Sequence, residues 1–255
     1  MHTARVDFLG CPVDGLSMNQ SLDKLEEFIR DGSPHHVAVT NANKLWLMTR
    51  NPAMVDIMRQ CSLVLPEKAI VIGSKLLGLG VDHHVGGIML LKAFLPRAQE
   101  KGYRVYFLGA KPEVVERMIE NLRQKYPRLR IAGWHHGYVP AADDEEISRS
   151  IRDATPDILF VAMGTPRQEF WIAQHLSKLS VPVCMGVGGS FDVLAEIKRD
   201  APDWVRTLSM EWLYRLVQDP KNLWKRYLLT IPWFLKAVLC ARLRQTADIH
   251  QYEQT

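Results

Sequence analysis

Residues 158–171, ILFVAMGTPRQEFW, decide how the fold is read. The apolar run from Ile158 to Met163 stops at Gly164 and Pro166, and Arg167, Gln168 and Glu169 then open a helical pattern. An uninterrupted apolar run bounded by turn residues suits a parallel strand buried on both faces. The glycine turn and helix N-terminus that follow free backbone N–H groups at the strand's carboxyl end. Open α/β sheets bind their ligands at that edge, and the freed N–H groups suit an anion such as a phosphate.

The same alternation extends outward in both directions. Short apolar runs recur at 37–40 (VAVT), 63–65 (LVL), 105–108 (VYFL), 129–134 (LRIAGW) and 181–187 (VPVCMGV). Segments 44–60, 89–101, 112–125, 143–154 and 167–178 carry apolar residues at helical spacing. In 112–125, Val114, Val115, Met118, Ile119 and Leu122 fall on one helical stripe with charges opposite. Pro52 and Pro112 suit first helical turns. Strands alternating with helices predict the α/β class: a Rossmann-like, mostly parallel sheet flanked by helices, with right-handed crossovers. Ahead of it, residues 5–17 (RVDFLGCPVDGLS) read as a small hairpin turning at Pro12–Gly15, with the first helix starting at Ser21.

Charge divides the chain. Residues 1–197 hold 22 Lys/Arg and 22 Asp/Glu, whereas residues 198–244 hold 10 against 4, so that segment exceeds the whole chain's excess of +4. This predicts an α/β domain over 1–197 and a basic, Trp-rich helical appendage over 198–255. In the appendage, Trp204, Val205, Leu208, Trp212, Leu213, Leu216 and Val217 form a helical stripe that Leu223, Trp224, Tyr227, Leu228, Ile231, Trp233, Phe234, Val238 and Leu239 continue, with Pro232 as a kink. Arg206, Arg215, Lys221, Lys225, Arg226, Lys236, Arg242 and Arg244 surround it. Rings beside cations suit a helix lying in an anionic membrane surface, although a core-packing helix with a solvated basic face shows the same pattern. Nucleic acid is set aside as a partner, because the apolar face is too large for a phosphate contact.

Cys11, Cys61, Cys184 and Cys240 lie far apart with no CxxC, which predicts buried thiols in a reducing compartment and no zinc site. The N-terminus lacks a signal pattern, and no apolar run approaches the ~18 residues of a membrane span. The expectation is a cytoplasmic protein that can still lie on a membrane. The His pairs 35–36, 83–84 and 135–136 are adjacent residues expected to point apart, so no metal is expected.

Five loops follow predicted strand ends: Thr40–Asn43, Pro66–Lys68, Gly109–Pro112, Gly164–Glu169 and Gly186–Asp192. The last is glycine-rich, so its backbone can approach a pyrophosphate closely. It is not GxGxxG and has no acidic partner about 20 residues on, which sets a dinucleotide dehydrogenase aside. No Walker A, HExxH or GxSxG motif occurs.

The blocks TNANKLWLM (40–48), FLGAKPEVVE (107–116), ILFVAMGTPRQEFW (158–171), GVGGSFDVLA (186–195) and the stretch 198–228 resemble the WecG/TagA/CpsF glycosyltransferases, in order, over about residues 5–230. The resemblance implies a GT-E type fold and transfer of a sugar from a UDP-sugar to a polyprenyl-diphosphate-linked saccharide in surface polysaccharide synthesis. It implies inversion at the anomeric carbon, no catalytic metal or other cofactor, and action at the cytoplasmic membrane face. It further implies an appendage whose basic residues, here Arg206, Arg215, Lys221, Lys225 and Arg226, meet the lipid diphosphate. Assembly into a homo-oligomer is compatible with it.

Such chemistry needs a carboxylate to deprotonate the acceptor hydroxyl, and donors or cations to meet the departing diphosphate. The family's proposed base is the aspartate of an Asp-Gly after the second strand, and Glu67 occupies that position here. The family's next loop carries an arginine and an aspartate; His83–Met89 lacks both, leaving His84 as a candidate stand-in. These departures bear on sugar specificity or on catalysis itself, and an altered or inactive member that binds nucleotide-sugar or lipid diphosphate is the alternative. Gln168 matches the family's glutamine, for which the resemblance implies contact with the sugar or diphosphate and a catalytic role beside Glu67, although a glutamine at a helix start is often only a cap-region residue. Thr40, Asn41 and Asn43 match its Thr-x-Asn loop or shape the turn. Asp192 binds nucleotide or caps the next helix. Gly109, Lys111, Gly164, Arg167, Gly188 and Gly189 complete the substrate-binding candidates.

Overall fold

The computed structural model describes residues 5–138, 140, 144–202, 205 and 210–252. A two-stranded hairpin, β1 (Val6–Phe8) and β2 (Cys11–Val13), precedes helix α1 (Met18–Asp31). The main body then runs β3 (His35–Thr40), α2 (Ala42–Met48), α3 (Pro52–Gln60), β4 (Leu63–Pro66), α4 (Lys68–Leu77), α5 (Gly87–Lys101), β5 (Arg104–Gly109), α6 (Pro112–Lys125) and β6 (Arg130–His135). It continues through α7 (Asp144–Asp153), β7 (Ile158–Ala162), α8 (Arg167–Leu179), β8 (Val183–Gly186) and α9 (Ser190–Leu194). The appendage comprises α10 (Glu211–Gln218) and α11 (Pro220–Tyr252).

Strands β3 to β8 form one sheet in the order β4-β3-β8-β7-β5-β6, and every pairing in it is parallel. All five loops singled out in the sequence therefore leave the same edge. Burial on both faces explains the unbroken apolar runs: in β7, Ile158 and Phe160 enter one core while Leu159 and Val161 enter another. Helices α1, α5 and α6 cover the first face through residues such as Leu25, Phe94 and Met118. On the second face, Met48, Met54 and Met58 of α2 and α3 cover the β3–β4 half, and Ile151, Trp171 and Ile172 of α7 and α8 cover the rest.

Several boundaries differ from the sequence reading, each for a local reason. The hairpin turns at Leu9-Gly10, both left-handed at φ 53° and 84°, and Pro12 sits within β2 opposite Asp7. A two-residue turn of that hand matches strand twist, and a hairpin edge tolerates proline. Helix α1 begins at Met18 rather than Ser21, because Ser17 and Gln20 close a reciprocal capping box. The segment 44–60 divides into two helices at Pro52, which opens the second one as its place in a first helical turn suggested, with Asn51 as the cap. Helix α4, which the sequence reading left out, starts directly after β4, its KAIVIGSKLL apolar enough to hide a 3.6 period. Cys240 is exposed, while the other three cysteines are buried as expected. Burial pushes the Cys11 and Cys61 thiols up to about 11 and about 12, which leaves them protonated and inert at neutral pH.

The appendage is docked onto the α/β body. Thr230, Phe234 and Val238 of α11 are buried, and the Phe234 ring lies 6.1 Å from that of Phe8. Gly73 of α4 permits this approach: a Cβ there would stand 2.7 Å from Phe8 Cζ and 3.2 Å from Phe234 Cζ. Nearer the sheet edge, Lys198 bridges Asp192 at 3.3 Å and Asp219 at 3.0 Å. The Gln218 amide brackets the Arg199 backbone, donating to its carbonyl and accepting from its N–H. Burial works against the Lys198 charge, yet its bonds to Asp219 and Asp192 outweigh that and hold its pKa above the usual lysine value. The opposite side of α11 exposes Leu228, Leu229, Leu235, Leu239 and Leu243, each 53–64% accessible. Among the described residues no helix is long and apolar enough to cross a membrane. Trp204, Arg206 and Leu208 of the predicted stripe lie outside the described residues.

Phe234→Ala removes the ring that seals α11 against Phe8 and Gly73, a loss of about 3 kcal/mol. Urea unfolding should show that loss, and limited proteolysis should cut between residues 220 and 246 sooner than in the parent. Unchanged stability and protection would contradict this packing.

Candidate active site

The carboxyl edge of the sheet gathers the sequence candidates according to strand order. Strands β4, β3, β8 and β7 are consecutive neighbours, so Glu67, the Thr40–Asn43 loop, the Gly186–Asp192 loop and the Gly164–Glu169 loop follow one another along it. At about 4.8 Å per strand, backbones at β4 and β7 stand roughly 14 Å apart. The Gly109–Lys111 loop extends the edge beyond β7. Gly109 is required there by contact: at φ 132°, a Cβ on it would meet the Ala162 backbone at 2.4 Å.

Glu67 is partly buried and stands at the N-cap of α4, where its side chain makes no capping hydrogen bond. Its backbone N–H donates to Thr40 O at 2.9 Å, tying the β4 and β3 loops together. The Pro66 carbonyl accepts from Val85 N–H at 2.8 Å, which brings the segment carrying His84, itself partly buried, to the same corner. Helix α5 also starts here, and a Cβ on Gly87 would be only 3.5 Å from Val187 Cα.

Thr40 is fully buried, with Cys11 Sγ directed at its hydroxyl over 3.6 Å. Asn41 caps α2, its side-chain oxygen accepting from Lys44 N–H at 3.0 Å, and Asn43 lies partly exposed in the first turn. Lys111 is exposed at the N-cap of α6, and Arg167 is exposed at the start of α8. Gly189 is the N-cap of α9, so Asp192 does not cap it; the Asp192 carboxylate pairs with Lys198 instead. Arg215, Lys221 and Lys225 are exposed on the appendage. Arg226 is partly buried, with its guanidinium 4.9 Å from the Tyr227 ring centre. The rings of His135 and His136 do not point apart; their centres are 4.6 Å from one another.

Gln168 is buried, and both ends of its amide are engaged. Its Nε2 donates to Glu169 Oε1 at 2.7 Å, and its Oε1 accepts from Gly188 N–H at 3.0 Å. The side chain lies over Gly186, where a Cβ would approach Nε2 to 2.6 Å. Glu169 Oε1 also meets Lys44 Nζ at 2.7 Å, with the two side chains only 1% and 3% exposed. Thr165 Oγ1 donates weakly to the same oxygen at 3.4 Å. Glu169 Oε2 is buried without a hydrogen-bond partner among the described residues. His36, buried on β3, completes this interior: burial, helped by Lys44, drives its pKa down to about 3 and keeps it neutral.

Lys44 and Glu169 are absent from the sequence candidates. One stands four residues after β3 and the other at the third position of α8, separated by 125 positions, and no local pattern announces such a pair. The available signal was compositional: a lysine inside the apolar period of ANKLWLM has no solvated face to occupy.

The model of the glycosyl transferase WecG/TagA/CpsF family matches residues 6–248. A protein of Staphylococcus aureus strain MW2, named N-acetylglucosaminyldiphosphoundecaprenol N-acetyl-beta-D-mannosaminyltransferase, is 35% identical over 246 residues, covering 94% of each chain. Proteins of the same name from strains NCTC 8325 / PS 47 and MRSA252 are 35% and 34% identical over the same span.

Proposed function

The chain belongs to the WecG/TagA/CpsF glycosyltransferase family, and from that premise we propose that it moves N-acetylmannosamine from UDP to an N-acetylglucosamine carried on a polyprenyl diphosphate. The transferred sugar and the acceptor are those in the names of its relatives, which align over 94% of both chains, and UDP as the carrier is what the family resemblance implies. The observation that carries the reading is the carboxyl edge of the sheet, where an uncapping carboxylate, Glu67, stands strands away from two glycine loops at helix starts.

In this reaction the acceptor hydroxyl oxygen bonds to the anomeric carbon as that carbon's bond to the UDP oxygen breaks. The hydroxyl proton passes to Glu67, and the electron pair leaves on the diphosphate. Backbone N–H groups of the Gly164–Glu169 and Gly186–Asp192 loops meet the growing negative charge, with Lys111 and Arg167 as cations within reach of the same edge. A single displacement inverts the anomeric configuration. Glutamate reaches one methylene further than aspartate, so the corner formed by Thr40, Pro66 and Val85 sets where its carboxylate sits.

The appendage supports a site that works at a membrane surface. Leu228, Leu235 and Leu239, spaced seven and four residues apart, share the face of α11 turned away from Phe234, with Lys221 and Lys225 ahead of them and Lys236 among them on the same side by helical spacing. Trp233 is packed partly against the core, so the leucines, rather than that ring, carry the lipid contact. Arg215, Lys225 and Arg226 are the cations offered to the lipid diphosphate, with Arg206 proposed from sequence alone. The enzyme is thereby peripheral, reaching an acceptor that stays in the bilayer.

UDP release from UDP-N-acetylmannosamine, measured with a short synthetic polyprenyl-diphosphate-N-acetylglucosamine, should fall at least ~100-fold in Glu67→Gln. An undiminished rate would remove Glu67 as the base. In flotation with vesicles containing anionic lipid, Leu235→Glu/Leu239→Glu should leave most of the protein at the bottom of the gradient. Flotation equal to the parent's would remove this face as the lipid contact.

A further inference from the structure

A buried ammonium–carboxylate pair is an expensive way to join two helices. Well-packed apolar residues of similar volume serve as well or better for stability, so such a pair calls for another explanation. Here the Lys44–Glu169 pair lies under the carboxyl edge, joining α2, which follows β3, to α8, which follows β7. Strand β8 runs between those two strands, and its end is the glycine loop.

The hydrogen bonds form a directed chain. Lys44 Nζ donates to Glu169 Oε1, the same oxygen accepts from Gln168 Nε2, and Gln168 Oε1 accepts from Gly188 N–H. Reversing the Gln168 amide would set its oxygen against the carboxylate and its NH2 against the Gly188 N–H, so the charge pair fixes one orientation. Gly186 permits the arrangement by leaving room for the amide. The chain thus links all three loops and holds the Gly188 peptide by its donor.

We propose that Lys44 and Glu169 are a positioning pair that locks the Gln168 amide and, through it, sets the Gly188 loop at the spacing the nucleotide diphosphate requires. The pair does not touch substrate and takes no proton in the reaction. Its effect is on where the strand-end N–H groups point when charge develops on the leaving diphosphate, for which an error near 1 Å costs about 100-fold in rate. This rests on the glycosyltransferase reading above.

The test is the double variant Lys44→Met/Glu169→Gln, which removes both charges and leaves neither one buried alone. Its thermal midpoint should stay within about 3 °C of the parent, while kcat falls about 100-fold and the affinity for UDP alone, by calorimetry, falls about tenfold. Gly186→Ala gives an independent reading, because it displaces the Gln168 amide without touching the pair; it should reproduce both losses, and it decides the matter should the double variant not fold. Parent-like kcat and UDP affinity in either folded variant overturn the proposal, as would a double variant whose losses only track a lowered thermal midpoint. A parent chain that binds UDP without transferring sugar contradicts the functional reading alone, and the UDP affinities of the variants then test the pair. A parent that does neither overturns both.

Discussion

A parallel sheet covered on both faces can offer its backbone to a ligand only at its ends. That constraint organises this protein. Helices of the two sides bury the sheet so completely that β7 and β8 carry no exposed residue, and the polar chemistry collects at the carboxyl edge where each strand gives way to a helix. The exception proves informative: Lys44, Gln168 and Glu169 are polar and buried, and they sit directly beneath that edge, where they join the loops of three neighbouring strands.

The fold was legible in the sequence because double-sided burial writes long apolar runs, and the runs at 105–108 and 158–163 land within a residue of β5 and β7 or extend them slightly. The helix at 112–125 matches α6 at both ends, since Pro112 opens it and a single apolar stripe faces the core. Where the reading failed, local chemistry competed with pattern. Pro12 looked like a turn residue but lies in an edge strand, and the left-handed pair Leu9-Gly10 makes the turn. Helix α4 was hidden by a run of Ile and Val that suits a strand as well as a buried helix.

The candidate site was legible one loop at a time and illegible in its connections. The strand-end loops, with their glycines, could be picked out, and parallel topology brings them to one edge. What the sequence could not convey is that Gln168 spends both ends of its amide inside the protein, that Asn41 serves as a helix cap, or that Asp192 is held by Lys198 together with Asp219. The Gln168–Gly188 and Lys198–Asp219 contacts span about twenty positions each, and the shorter ones depend on which way a side chain turns, so none has a periodic signature. The Lys198 bridge also joins the glycine loop to the start of the appendage, so the basic, leucine-faced helix and the sheet edge are parts of one assembly rather than neighbours by sequence alone.

In the function proposed above, this edge receives a nucleotide diphosphate at the loops after β7 and β8. Hydrogen–deuterium exchange of the full chain with and without UDP tests it most directly. Nucleotide held there slows exchange in peptides spanning 164–169 and 186–192 and leaves the opposite edge of the sheet, around residues 129–131 and 181–183, unchanged. Protection absent from those two loops, or confined to the appendage or the far edge, would contradict it.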